Sequence, residues 1–174
     1  MTIHPWRTLA LSIPLLLLAG CGGVAIKPPE PDIPQPLIEP FPADVGVYCD
    51  EKLRTYVHTE ERWGSKWEVD LGESHVKMLR QMMTLAFRRA VEINGTKAQG
   101  GEVDVIFQPH IERYSFITPR DSGGSFFAVT IRYRFDVYTP EGQLADTLTL
   151  TGYGGAPATS MTSTAPMIKA TQAA

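Results

Sequence analysis

From Phe127 to Val137 the apolar side chains fall at every second position: Phe127, Val129, Ile131, Tyr133, Phe135 and Val137, with Ala128, Thr130, Arg132, Arg134 and Asp136 between them. A period of two marks a strand with one buried face. Thr139-Pro140-Glu141-Gly142 supplies a turn, and Leu144 to Tyr153 returns with Leu148 and Leu150 directed inward, so residues 127–153 read as an antiparallel hairpin. Between Ser74 and Ile93 the period changes. Val76, Leu79, Met83, Ala86, Phe87 and Ala90 recur at helical spacing, with Lys77, Arg80, Gln81, Thr84 and Arg88 on the other side. Ser74 is the expected N-cap, Glu73 sits at the positive end, and Asn94-Gly95 is the expected stop. The stripe Met78, Met82 and Met83 reads as core packing against a sheet rather than as an adaptable binding surface.

Shorter patterns fill in the remainder. Val45 to Cys49 reads as a first strand, Arg54 to Glu60 as an extended segment, and Arg62 to Trp67 as a turn, after which Trp67, Val69 and Leu71 share a face. Val103 to Phe107 is a strand ended by Pro109, and Ile111 to Ile117 is a second strand or its bent extension. Thr118 to Ser125, with Gly123-Gly124, is a loop, and Pro166 to Ala174 opens a second, short helix. The implied architecture is α+β: a mainly antiparallel, mixed sheet with one long amphipathic helix on one face and a short C-terminal helix. The globular domain spans 44–156, followed by a tail rich in Ser, Thr and Ala over 157–174.

The chain ahead of this domain follows a different logic. Leu9 to Leu18 is an apolar run behind Arg7, too short to cross a bilayer of about 30 Å as a helix, so residues 1–20 read as a signal peptide. Leu18-Ala19-Gly20-Cys21 resembles the lipobox of bacterial lipoproteins. That resemblance implies cleavage before Cys21 and lipidation of its thiol and amino group, and several acyl chains anchor stably where one is marginal. Gly22 in place of Asp implies export to the outer membrane, on its periplasmic side. Lys27 to Pro42 holds seven prolines in sixteen positions. Proline lacks the backbone donor, so this stretch reads as polyproline II, and residues 21–43 as a semi-rigid spacer reaching up to roughly 60 Å. A proline-rich ligand for an aromatic groove is the alternative.

Composition narrows the chemistry. With 16 Lys+Arg against 19 Asp+Glu and a net charge of -3, no cationic surplus exists to neutralise phosphate backbones, which excludes a nucleic-acid partner. After lipidation Cys49 is the one thiol left; it follows a strand-like run and reads as a small buried apolar residue, with an intermolecular disulfide as the alternative. His58, His75 and His110 share no metal-ligating spacing, so no metal is expected. There is no nucleophile elbow, phosphate loop or dinucleotide fingerprint, so neither a cofactor nor a catalytic residue is assigned. Arg132 and Arg134 point away from the core. Solubility and edge protection explain them, and a ligand or partner face for anions is the second reading.

The order of lipobox, proline linker, short strand, amphipathic helix, strand hairpin ending in Tyr153-x-Gly155, Ser/Thr-rich loop and incipient helix resembles the YajG-like lipoproteins and, more loosely, the LptE-like small envelope lipoproteins. The resemblance implies helices on a mixed sheet, no enzymatic activity and accessory work in the cell envelope. The expected function is that of a non-enzymatic outer-membrane lipoprotein, a scaffold component that docks and tethers an envelope protein assembly. The alternative is a lipid or lipopolysaccharide transport accessory, with Arg132 and Arg134 meeting phosphates and the methionine-rich helix meeting acyl chains.

Overall fold

In the computed structural model the alternating segment forms β7 (Phe126–Tyr138), in which Phe127, Val129, Ile131, Tyr133 and Phe135 are all buried, as period two requires. The structure describes residues 23–158 and 163–174; the signal peptide 1–20 and Cys21 lie outside the described residues. β7 pairs antiparallel with β6 (Val105–Ile117) on one side and β8 (Leu144–Pro157) on the other. Beyond β6 come β2 (Phe41–Val47) and β5 (Phe87–Glu92), both parallel, so this five-stranded mixed sheet has the order β5-β2-β6-β7-β8. A second sheet, ordered β1-β4-β3, combines β1 (Val24–Ile26), β3 (Val57–Arg62) and β4 (Ser65–Asp70). The chain is therefore α+β, with two mixed sheets in place of the single sheet expected.

One face of the larger sheet is covered. The small sheet lies over β6, where Trp67 meets the Phe116 ring at 5.3 Å and His58 meets Tyr114 at 5.0 Å. Helix α2 (Gly72–Ala86) places His75 on Tyr133, ring centroids 6.0 Å apart, and Met78, Met82 and Met83 pack into the same core. Helix α3 (Ala165–Ala173) lies on β8 and β7. Gly152 and Gly154 make this possible: a Cβ at either would land on the α3 backbone, on the carbonyls of Ala174 and Ala170. Tyr114 Oη and Thr171 Oγ1 join in a buried hydrogen bond of 2.9 Å that ties α3 to β6.

Four expectations need correction. The helix expected over 74–93 is shorter and starts earlier: α2 runs Gly72–Ala86 with Leu71, not Ser74, at its N-cap, and the chain turns directly into β5. Phe87 and Ala90 satisfied the helical spacing, but Phe87 packs between Phe41 and Phe107, Arg88 and Arg89 pair with Asp44 at 2.7 and 3.2 Å, and Glu92 binds Arg54 and Arg80. Tertiary partners override local propensity there. Pro109 does not end its strand; β6 runs through it. Tyr48 donates its N–H to the Phe107 carbonyl at 2.9 Å, and the next parallel-ladder bond would come from the N–H of residue 109. Proline has none, so pairing with β2 stops while pairing with β7 continues.

Leu148 and Leu150 are opposite Phe135 and Tyr133 and so share their face, yet they are 46% and 52% exposed. Coverage by α3 ends at Gly152, leaving the outer part of this edge strand bare. The spacer, finally, is pinned near its start. Val24–Ile26 pairs parallel with Trp67–Val69, Ile26 is in the core, and Lys27 bridges to Asp70 at 3.0 Å. Residues 27–40 take neither helix nor strand, as their prolines dictate, and form a strap between the two sheets rather than a leash ahead of the domain.

Candidate functional site: a basic cleft on the open sheet face

The other face of β6 and β7 is partly open: Ile106 is buried at one end and Asp50 reaches Gln108 at 3.2 Å, while the alternation that buries Tyr133 and Phe135 turns Arg132, Arg134 and Asp136 to this face. On β6 a bulge intervenes. The register runs from Ile111 opposite Tyr133 to Arg113 opposite Arg132, so Glu112 is the extra residue, and the buried positions change phase from Ile111 to Tyr114. The bulge brings Arg113 onto the open face beside Arg132, while His110 lies opposite Arg134. The short helix α1 (Glu51–Arg54) adds Lys52; the Asp50 side chain caps it by accepting the Leu53 N–H at 2.9 Å. Together Lys52, His110, Glu112, Arg113, Arg132 and Arg134 line a cleft of about 360 Å³.

Two of its cations are paired. Arg132 Nε contacts Glu112 Oε2 at 3.1 Å, and Arg134 Nη2 contacts Asp136 Oδ2 at 3.3 Å. The same Asp136 oxygen takes His110 Nε2 at 3.1 Å, and the other accepts from Thr147 Oγ1 at 3.3 Å, which fixes the floor of the cleft. Lys52 and Arg113 make no hydrogen bond or ion pair among the described residues, and Arg134 Nε is buried without an acceptor. The lining includes no serine, threonine or cysteine, and its inventory of guanidinium and ammonium donors suits it to hold anions.

Sequence reasoning placed Arg132 and Arg134 outward, and they are. β7 is an interior strand, however, so the two arginines guard no edge. Lys52, His110 and Arg113 were missed; only the bulge, invisible in a pattern of hydrophobicity, brings Arg113 to this face. The other candidates lie apart from the cleft. Cys49 is buried, and desolvation pushes its thiol up to about 11, which leaves it unreactive and out of reach of an intermolecular disulfide. His58 pairs with Glu60 at 3.2 Å, and His75 sits in the core. Among the described residues no three His, Cys, Asp or Glu side chains converge on a common metal position. Compared with protein-family models, with curated proteins and with solved structures, the chain gives no match.

Proposed function

We propose that the chain is a non-enzymatic lipoprotein, anchored through Cys21 to the periplasmic side of the outer membrane, that docks a cell-envelope protein assembly. The observation that carries the docking reading is β8. It is a fourteen-residue edge strand with one charged residue, Asp146, no lysine, and Leu144, Leu148, Leu150 and Tyr153 exposed along it. Edge strands are ordinarily blunted by lysine, proline or brevity, and a long unblunted one is a template for an added strand. The occupant that fits is an extended segment of a partner protein, held by main-chain hydrogen bonds, with apolar side chains set against Leu148 and Leu150.

Crosslinking of the native chain in solubilised membranes, alongside a Leu148→Asp/Leu150→Asp variant, tests this. Both side chains are already half-exposed, so the variant keeps its fold. A stoichiometric protein partner lost with the variant supports the reading; a partner retained, or recovery of phospholipid alone, refutes it. Cys21→Ser should release the chain from membrane fractions. A second reading, a lipid or lipopolysaccharide transport accessory, is supported by the charge of the open-face cleft. Its acyl-binding half loses ground because Met83 is buried and Met78 and Met82 pack against the core.

A further inference from the structure

We propose that the open-face cleft is a phosphate site, taking a phosphate group between Arg113, Arg132, Arg134 and Lys52. This holds whichever of the two functional readings is correct, because it rests on the cleft and not on β8. Three observations carry it.

The first is an arrangement that costs stability. Arg113 and Arg132 are register partners on adjacent strands, and His110 and Arg134 are the next pair along. Directly opposed side chains lie about 5 Å apart at Cβ, and like charges there destabilise a sheet. An anion seated between the two guanidinium groups converts that repulsion into attraction.

The second is charge. Four permanent cations line the cleft against the carboxylates of Glu112 and Asp136, which pair with Arg132 and Arg134, and of Asp50, 4.0 Å from His110, so the balance is cationic and Lys52 and Arg113 are the two without an ion-pair partner among the described residues. A cationic surplus suits a phosphate group, and guanidinium forks match its oxygens two at a time.

The third is a guanidinium held in place. Arg134 Nη2 is held by Asp136, which in turn is held by His110 and Thr147, so this side chain is oriented before any ligand arrives, with Nε turned into the protein and away from the cleft. The bulge at Glu112 serves the same end by keeping Arg113 on this face.

The test uses the full chain in non-ionic detergent micelles, titrated with inorganic phosphate, with short-chain phosphatidic acid, and with the matching phosphatidylcholine as reference. Binding of inorganic phosphate identifies a free phosphate ligand; binding of phosphatidic acid alone identifies a lipid headgroup. Either is expected to weaken at least tenfold in Arg113→Gln and in Arg132→Gln. Phosphate should also raise the thermal midpoint of the native chain and leave that of Arg113→Gln unmoved. Failure of both probes to bind overturns the proposal, as does binding that survives both substitutions. A poly-glutamate peptide that binds where phosphate does not would overturn it in favour of an acidic protein surface. Because both arginines are exposed on the open face, loss of folding in one variant would be checked against the other by circular dichroism.

Discussion

His75 is a buried group whose titration the fold resists. Burial is the dominant cause and lowers its pKa to about 4, against the upward pull of the hydrogen bond between Nδ1 and the Leu71 carbonyl at 2.9 Å. The unfolded chain takes up a proton near pH 6.5 that the folded chain refuses until about pH 4, so the stabilisation is complete above pH 6.5 and is lost as pH falls through that window. The loss is on the order of 3 kcal/mol. His75→Asn keeps a donor for Leu71 and has no proton to gain. Its urea midpoint should hold nearly constant from pH 6.5 to 4.5 while that of the native chain drops; parallel curves would show that His75 is not the titrating group. At this scale the sequence was legible where a side chain obeys its strand's alternation, as Arg132 and Arg134 do. Arg113 was not, because one bulged residue shifts the phase of everything after it on β6.

Among the elements, the fit of α3 against β8 depends on two missing side chains. Gly154 has no room for a Cβ against the Ala170 carbonyl, whereas a Cβ at the neighbouring Gly155 would find only the Phe127 carbonyl at 3.7 Å, an ordinary contact. Gly154→Ala should therefore destabilise by at least about 2 kcal/mol through displacement of α3, and Gly155→Ala by well under 1 kcal/mol. Denaturant unfolding of the pair checks this, and equal effects would mean that α3 yields without cost. The Gly152-Tyr153-Gly154-Gly155 run reads in sequence as the close of a strand; its use as a helix seat depends on which element returns over it. Helix α2 teaches the same lesson from the other side. Phe87 and Ala90 fit a period of 3.6, but Arg88 and Arg89 find Asp44, and Glu92 finds Arg54 and Arg80, only in an extended chain. Long-range ion pairs of that kind leave no trace in periodicity.

For the molecule as a whole, the proline-rich segment changes role once three residues are placed. Its composition describes its own backbone correctly, since residues 27–40 adopt no regular structure. Composition does not reveal that Val24–Ile26, too short to show any pattern, adds to the sheet edge ahead of it. If Cys21 is the anchor, as proposed, only Gly22 and Gly23 lie between it and β1, a reach of about 10 Å, against roughly 60 Å for a free spacer from Val24 to Pro42. On that proposal, the difference decides whether the domain works against the membrane or at a distance from it. Energy transfer from Trp63, in the β3–β4 turn, and Trp67, opposite Val24 on β4, to dansyl-labelled headgroups would read it. Transfer should be strong for the native lipidated chain in vesicles. A Val24→Pro/Ala25→Pro variant loses ladder donors and turns the strap into a leash, and its transfer should fall several-fold while it stays in the membrane fraction. Weak transfer in both would place the domain far from the bilayer and restore the spacer reading.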